Sequence, residues 1–399
     1  MVDIRRAKRG KPAIGNEGFR SAHHAVISSS YTLPEIAIVS GKGSYLVDAD
    51  GKRYLDFLSG IATNALGAAH PKIIKAVATQ VAKLSHISNF YTNPETIRLA
   101  NRLQQMTGDA GSRIFFCNSG AEANEAAIKL SRLTGRFEII SMRGAFHGRT
   151  MGALSITGQE AKRAPFLPLL KGIRFVDYGD LKALKTAVSY RTAMIIVEPI
   201  QGENGVVVPP IGYLRGVEEI ARSKGALLAV DAVQTGMGRT GQWFGYEDEG
   251  IKPDVVTLAK GLGGGLPMGA MIAMSSAPQF SPGQHGTTFG GNPIVAAAAN
   301  VVINVIEAEG LMSSARDFFD FFESEISEIP GVAEVRGKGL LIGILLQRPQ
   351  AKKVVIALQE RGILVNAATD SVIRLAPPLN ISMKEAKLFV SALRAVMVH

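Results

Sequence analysis

The sequence predicts an α/β protein with a large domain built on a mostly parallel sheet and a smaller α+β domain. Between residues 113 and 260, short apolar runs alternate with helical stretches, which is typical of a parallel sheet covered by helices on both faces. After Asn292 the pattern changes to two long helices followed by mixed strands and helices. A length of 399 residues is sufficient for one large and one small domain.

The predicted elements follow this order along the chain. The strands of the large sheet are residues 114–116, 138–140, 194–197, 227–230 and 255–258, and its clearest helices are residues 121–133 and 213–224. In the small domain, helices 292–309, 311–328 and 351–361 accompany strands 340–346 and 371–375. Ser382 and Glu385 form a capping box at the start of a last helix.

Three parts of the chain are expected. Residues 1–60 form an N-terminal arm and a hairpin that packs with the small domain, residues 61–291 form the large domain, and residues 292–399 form the small domain. The hairpin is predicted over residues 43–57, with its turn at residues 48–51.

Composition excludes several classes of protein. The single cysteine, Cys117, rules out a disulfide framework within the chain and favours a reducing, cytoplasmic compartment. No apolar run approaches the roughly 18 residues that a membrane span requires, so no membrane partner is expected. The net charge of +10 is spread out, and its main cluster comprises Arg5, Arg6, Lys8, Arg9 and Lys11. We interpret that cluster as a solvated arm, and nucleic-acid binding is not expected.

The most informative segment is residues 258–265, in which Lys260 ends an apolar strand and glycines follow at once. Lysine is a strong nucleophile when it is deprotonated, which a desolvated site promotes. The glycines leave room for a flat cofactor. An ordinary lysine beside a flexible loop is the alternative interpretation of this segment alone.

A carboxylate closes another predicted strand at Asp231. Such a group is costly at a buried strand end unless it is paired. A protonated pyridine nitrogen about 4 Å away would gain about 4 kcal/mol at an effective dielectric of about 20. Capping of the next turn is the alternative.

Three more segments end predicted strands. In residues 118–125, a small-residue turn enters a helix, and its free N–H groups can bind phosphate, although a plain N-cap by Ser119 would look the same. In residues 145–150, an aromatic side chain could stack on a ring and an arginine could hold a carboxylate; His147 there is more often a structural residue. Glu198 and Glu203 lie near one strand end without a metal-ligand cluster, so ion pairing is expected and no metal site is predicted.

Taken together and in this order, these motifs resemble the class III, fold type I aminotransferases that depend on pyridoxal 5'-phosphate (PLP). The resemblance extends from about Leu33 to the C-terminal part of the chain and includes residues 58–62, 285–293 and 373–378. It implies a PLP-dependent transaminase of the PLP-dependent transferase fold, which acts as a homodimer with shared active sites.

The resemblance also implies roles for individual residues. Lys260 carries PLP as a Schiff base and shuttles the proton, and Asp231 pairs with the pyridine nitrogen. The other cofactor-binding positions are Gly120, Ala121, Phe146, Ala232, Val233, Gln234 and Thr288, the last contributed by the neighbouring subunit. The substrate-binding positions are Arg149, Thr287, Glu203, Arg374 and Ile61. Glu203 and Arg374 match a switch pair in which the acid masks the arginine for one substrate and releases it for the other.

Two positions depart from the family pattern. Ala232 stands where the family usually has Glu after the aspartate, and Ala68 stands where a histidine is common in the segment of residues 67–71. Neither departure removes a group that the chemistry requires.

The implied reaction moves the terminal amine of N-acetylornithine to 2-oxoglutarate, a step of arginine biosynthesis. Ile61 replaces a tyrosine of ornithine-specific relatives and argues against free ornithine, whereas 4-aminobutyrate remains open as a donor. Other classes stay possible at this stage: an aminomutase, or a non-catalytic protein that binds PLP or nucleic acid.

Overall fold

The computed structural model describes residues 14–398, so the basic cluster at residues 5–11 lies outside the described residues. The strands are β1 Ile38–Lys42, β2 Tyr45–Asp48, β3 Arg53–Asp56, β4 Arg113–Cys117, β5 Glu138–Met142, β6 Ile173–Val176, β7 Thr192–Val197, β8 Leu227–Asp231, β9 Val255–Leu258, β10 Gly269–Ala273, β11 Val332–Lys338, β12 Leu341–Leu346, β13 Ile363–Leu364, β14 Asn366–Ala367 and β15 Val372–Leu375. The helices are α1 Asn16–Val26, α2 Ser59–Ala62, α3 Pro71–Lys83, α4 Pro94–Thr107, α5 Gly120–Arg132, α6 Met151–Ser155, α7 Glu160–Arg163, α8 Leu181–Ala187, α9 Tyr213–Lys224, α10 Pro293–Ala308, α11 Leu311–Ser327, α12 Ala351–Glu360 and α13 Met383–Met397.

A seven-stranded sheet with the order β4-β10-β9-β8-β7-β5-β6 forms the centre of the molecule. The pairs from β9 to β6 are parallel, whereas β10 runs antiparallel to both of its neighbours. Because β10 reverses the direction twice, β4 points the same way as β9. The predicted α/β class with a mostly parallel sheet is therefore confirmed, and the carboxyl ends of β4, β7, β8 and β9 share one edge.

The apolar strand patterns reflect burial on both faces of this sheet. Every residue of β5, β7, β8, β9 and β10 is buried. Parallel strands covered by helices on both sides have this continuous apolar character. Two strands of this sheet were not predicted: β6 is short and carries an arginine, and β10 begins within a glycine-rich segment whose small residues give a weak strand signal.

The N-terminal hairpin pairs with the C-terminal part of the chain. Strands β2 and β3 are antiparallel, and β3 pairs in parallel with β13. Phe57, just after β3, stacks on Phe389 of α13 with ring centroids 4.7 Å apart. The turn falls between β2 and β3 as expected, while the domain boundaries themselves remain predictions.

The C-terminal region contains an antiparallel sheet with the order β11-β12-β15-β14. Strand β11 was not predicted, because its alternating polar residues lie directly after a long helix. Both hydrogen bonds of the capping box between Ser382 and Glu385 are present at the start of α13. Within residues 14–398 no single helix has the length and apolar character needed to cross a bilayer, and α10 and α11 reach it only together across a 64° bend.

Candidate active site

A cavity of about 470 Å³ opens at the carboxyl ends of the central strands. This is the edge at which open α/β sheets bind ligands. Nine of the predicted site residues line it, namely Gly120, Ala121, Phe146, Arg149, Glu203, Asp231, Val233, Gln234 and Lys260. The fold thus brings together motifs that are far apart along the chain.

Lys260 follows β9 at the start of the glycine-rich turn. Its φ of +44° lies in the left-handed region, which is strained for a residue with a side chain. The Lys260 ammonium group donates a hydrogen bond to the side-chain oxygen of Gln234. Burial, and then the positive charge of Arg374, lower the pKa of Lys260 to about 8. The neutral, nucleophilic amine is therefore accessible near neutral pH.

Asp231 is the last residue of β8 and is only 3% exposed. Its Oδ2 atom lies 2.7 Å from Nδ1 of His147 and accepts a hydrogen bond of 2.8 Å from Nδ2 of Asn124. Its Oδ1 atom accepts a hydrogen bond of 3.0 Å from the Val233 amide. The carboxylate is thus held in one orientation by three nitrogen atoms.

Sequence reasoning missed two of these partners. His147 was treated as a structural residue, yet it contacts Asp231 directly. Burial lowers the pKa of His147, but the hydrogen bond and charge of Asp231 outweigh this effect and raise it. Asn124 was not singled out, although it also donates to the His147 carbonyl at 2.7 Å and accepts from the Thr257 hydroxyl at 2.9 Å. The signal available in the sequence was the position of Asn124, a polar amide side chain about one turn into a helix that begins at the strand ends.

Gly120 begins the 13-residue helix α5 at one end of the cavity. A Cβ atom at this position would lie 2.9 Å from both methyl carbons of Val233, so a side chain would not fit without displacing Val233. Ser119 caps the helix by accepting a hydrogen bond of 3.1 Å from the Glu122 amide. The predicted cap and the accessible helix start are both present. Cys117, just before this turn, is buried, and burial raises the pKa of its thiol to about 12.

Phe146 and Val233 both line the cavity. The Phe146 amide donates a hydrogen bond of 3.1 Å to Oε2 of Glu198, which is 4% exposed. Burial raises the pKa of Glu198 to about 8. Among the described residues Glu198 forms no salt bridge, so the expected ion pairing was wrong for this acid.

Ion pairing holds for the second acid of the motif. Nη1 of Arg374 lies 2.6 Å from Oε1 of Glu203, and Arg374 is 1% exposed. Its Nε atom donates to the side chain of Asn366 at 3.1 Å. Burial raises the pKa of Glu203, but the charge and hydrogen bond of Arg374 outweigh it, and the pKa is lowered. Glu203 therefore stays ionised near neutral pH.

Arg149 is exposed at the mouth of the cavity. Its guanidinium carbon lies 5.7 Å from the ring centroid of Phe146. Lys162, which was not predicted, places its Nζ atom 5.0 Å from the same centroid. Two cations thus lie beside the ring of Phe146, which lines the cavity, and this arrangement favours anionic ligands.

Five predicted residues do not line this cavity. Ala232 is buried behind it, and Arg374 lies behind Glu203. Thr287 accepts a hydrogen bond of 3.2 Å from Asn118, and Thr288 is exposed beside a separate, smaller cavity. Ile61 is 41% exposed and has a φ of +63°, whereas Thr63, two residues later, does line the main cavity.

Comparison with known proteins places these motifs in a family. The model of the family "Aminotransferase class-III" matches residues 26–397. An acetylornithine aminotransferase of Streptomyces coelicolor is 50% identical over 388 residues, which cover 96% of each protein. The structure of the Toxoplasma gondii ornithine aminotransferase, with partial PLP occupancy at its active site, has a TM-score of 0.90 and 32% identity, and covers 96% of this chain and 94% of its own. An acetylornithine aminotransferase structure from Elizabethkingia anophelis has a TM-score of 0.85 and 31% identity, with coverage of 96% and 99%.

Proposed function

We propose a specific reaction for this chain, which belongs to the class III aminotransferase family. The reaction transfers the terminal amino group of N-acetylornithine to 2-oxoglutarate, with PLP as cofactor, and yields N-acetylglutamate semialdehyde and glutamate. The chain is an aminotransferase by family; the donor, the acceptor and the roles of single residues form the proposal.

One observation carries this proposal more than any other. Asp231, with an oriented buried carboxylate, ends β8, and Lys260, with a pKa lowered to about 8, follows the neighbouring parallel strand β9. Both side chains line the same cavity. A nucleophilic amine and an oriented carboxylate are the two groups that a pyridine aldehyde cofactor would need at its opposite sides.

The residues present fit PLP. Gly120 and Ala121 line the cavity at the start of α5, where backbone N–H groups and the helix dipole favour a phosphate. The Nε2 atom of Gln234 is buried without a hydrogen-bond partner among the described residues, and so has a donor to offer. Phe146 and Val233 line the cavity and can enclose a flat ring. The start of α5, the Gln234 amide and the two apolar side chains are therefore each suited to a part of the cofactor.

When bound, PLP supplies an aldehyde that exchanges amino groups and a ring that withdraws electrons from the reacting carbon. The chain contributes the groups around it. The Lys260 amine would hold the cofactor and, once free, would accept a proton from the donor's amine-bearing carbon. Asp231 would pair with the ring nitrogen, since His147 and Asn124 hold its carboxylate in place.

The cations at the cavity mouth bind the substrates. Arg149 is exposed and positioned to bind the donor's carboxylate bidentately. Glu203 masks Arg374 while a donor with one carboxylate is present. A dicarboxylate acceptor would need Arg374, so Glu203 has to move aside in that half of the reaction. Masking and release of Arg374 by Glu203 explain how one cavity can serve two differently charged substrates.

The relatives support N-acetylornithine as the donor. The Streptomyces coelicolor protein that shares 50% identity with this chain over 96% of its length is named for acetylornithine. Ile61, near Thr63 at the cavity, agrees with this choice, because an apolar side chain offers no partner for the free α-amino group of ornithine.

A homodimer with shared active sites completes the proposal. Phe289, beside Thr288, is 58% exposed, and Phe90 and Tyr91 are 93% and 74% exposed. Such a concentration of exposed aromatic surface near the site favours a partner subunit. The buried, lone Cys117 is compatible with a reducing compartment, and we place the enzyme in the cytoplasm.

A donor panel tests the proposal. The purified protein, loaded with PLP and supplied with 2-oxoglutarate, is assayed with N-acetylornithine, ornithine and 4-aminobutyrate by following glutamate. The highest kcat/KM is expected with N-acetylornithine. A higher value with 4-aminobutyrate or ornithine would reassign the donor, and no glutamate with any of them would contradict the proposed reaction.

A further inference from the structure

The side chain of Glu125, the residue that follows Asn124 on α5, contacts the segment that carries Arg149. Its Oε1 atom accepts three hydrogen bonds: from the Thr150 hydroxyl at 2.6 Å, the Gly152 amide at 2.8 Å and the Ala153 amide at 3.2 Å. The two amides belong to the first turn of α6, whose N-cap residue Thr150 provides no side-chain cap. Glu125 therefore supplies from α5 the cap that α6 lacks.

The other side of Arg149 also rests on α5. Gly148 packs so closely on this helix that a Cβ atom at this position would lie 2.7 Å from the Cβ atom of Ala121. Gly152 is equally close to the acid, since a Cβ atom there would lie 2.1 Å from Oε2 of Glu125. The backbone on both sides of Arg149 is thus anchored to a single helix.

Arg149 itself has no such support. Its side chain is exposed, and no salt bridge to it is present within the described part of the chain. An exposed arginine has many rotamers, and its binding geometry depends on where its backbone is held. The backbone anchor on α5 is the feature of the structure that sets this position.

We propose that Glu125 is a positioning residue that holds Arg149 where it binds the substrate carboxylate. This inference rests on the proposed role of Arg149. Helix α5 also connects the two ends of the site. It begins at Gly120, the proposed phosphate-binding position, and carries Glu125, which contacts the Arg149 segment, about one turn further on. Substrate carboxylate and cofactor phosphate are thereby held at a constant separation.

N-acetylnorvaline is the probe for a first test, because it keeps the carboxylate and the acetyl group of N-acetylornithine and lacks the reacting amine. Its Kd is measured by calorimetry on the PLP-loaded protein. Glu125→Ala is expected to raise this Kd roughly 10- to 100-fold, since small displacements of a binding group have effects of this size. Glu125→Gln, which keeps an oxygen acceptor, should recover most of the loss.

The matched control is Glu160→Ala, which removes an exposed carboxylate from the neighbouring helix α7. It should leave the Kd unchanged. With N-acetylornithine as donor, Glu125→Ala should raise KM with a much smaller change in kcat, and the visible spectrum of the bound cofactor should be unaltered. A general structural defect would instead lower kcat and cofactor occupancy together.

A double-mutant cycle decides whether the effect passes through Arg149. If it does, Glu125→Ala changes the Kd of N-acetylnorvaline little in an Arg149→Ala background. Equal effects of Glu125→Ala in both backgrounds would overturn the inference. An Arg149→Ala variant that binds the probe like the wild type would refute the proposed carboxylate role of Arg149 itself, which is a distinguishable result.

Discussion

The Nδ1 atom of His147 lies 2.7 Å from the Oδ2 atom of Asp231, and both side chains are buried. Buried carboxylates are costly unless they are paired and hydrogen-bonded. Here Asn124 and the Val233 amide complete the set of donors, so the Asp231 carboxylate is held in one orientation. The network therefore orients a carboxylate that lines the same cavity as the amine of Lys260.

Replacement of Lys260 by alanine should abolish covalent cofactor binding. We expect the visible absorption of the PLP-loaded enzyme and its borohydride-fixable adduct to disappear, and activity to fall by roughly 1,000-fold or more. The exposed Lys182→Ala is the control and should behave like the wild type. A Lys260→Ala protein with an unchanged spectrum would remove this residue from its proposed role.

The rate at which the cofactor-free protein captures PLP covalently should rise with pH and show a midpoint at about 8, because the neutral amine of Lys260 is the reacting form. Glu203 raises the pKa of Lys260, so Glu203→Gln should move this midpoint to lower pH. Stopped-flow absorbance provides the measurement. Asp317→Asn makes the same charge change at an exposed position and should leave the pH midpoint unchanged. A midpoint close to that of free lysine would contradict the lowered pKa of Lys260.

The same lowered pKa has a consequence for folding. Unfolding of the cofactor-free protein takes up a proton at Lys260 between about pH 8 and the ordinary value of 10.5. The contribution of this group to the free energy of unfolding should therefore increase as the pH rises through that window. Urea denaturation of the wild type and of Lys260→Met at several pH values isolates the contribution of Lys260. Identical slopes of the free energy of unfolding against pH would exclude this contribution.

Asn124→Ala should destabilise the cofactor-free protein by about 2–4 kcal/mol, because Asp231, Thr257 and the His147 carbonyl each lose a buried partner. It should also weaken PLP binding. Urea denaturation and cofactor titration measure the two effects. Asn101→Ala, at an exposed site on α4, should change neither. A stability within about 0.5 kcal/mol of the wild type would show that the network carries little energy.

Ile61→Tyr should shift the donor preference toward ornithine. A hydroxyl at this position provides a polar partner, and the ratio of kcat/KM for ornithine over N-acetylornithine is expected to rise roughly tenfold. Steady-state assays with both donors measure the ratio, with Ile61→Leu as the control of similar volume. An unchanged ratio would mean that Ile61 does not contact the donor.

Local patterns were sufficient to predict the elements that matter most. Buried parallel strands are continuously apolar, so β7, β8 and β9 stood out, and each was followed by polar or glycine-rich residues at its carboxyl end. The capping box of α13 is likewise encoded within four residues. The weakly patterned strands β6, β10 and β11 were missed, because their burial depends on neighbours that are distant in sequence.

The sequence by itself determined the fold class, the strand-end positions of Asp231 and Lys260, and the order of motifs shared with the class III aminotransferases. These properties follow from short-range periodicity and residue chemistry. Only the tertiary structure decided that His147 and Asn124 hold Asp231, that Glu198 lies buried and forms no salt bridge within residues 14–398, and that Glu125 anchors the Arg149 segment. Those contacts join residues of separate helices and strands. Their geometry is set by how these elements pack against one another, and no local sequence pattern specifies that packing.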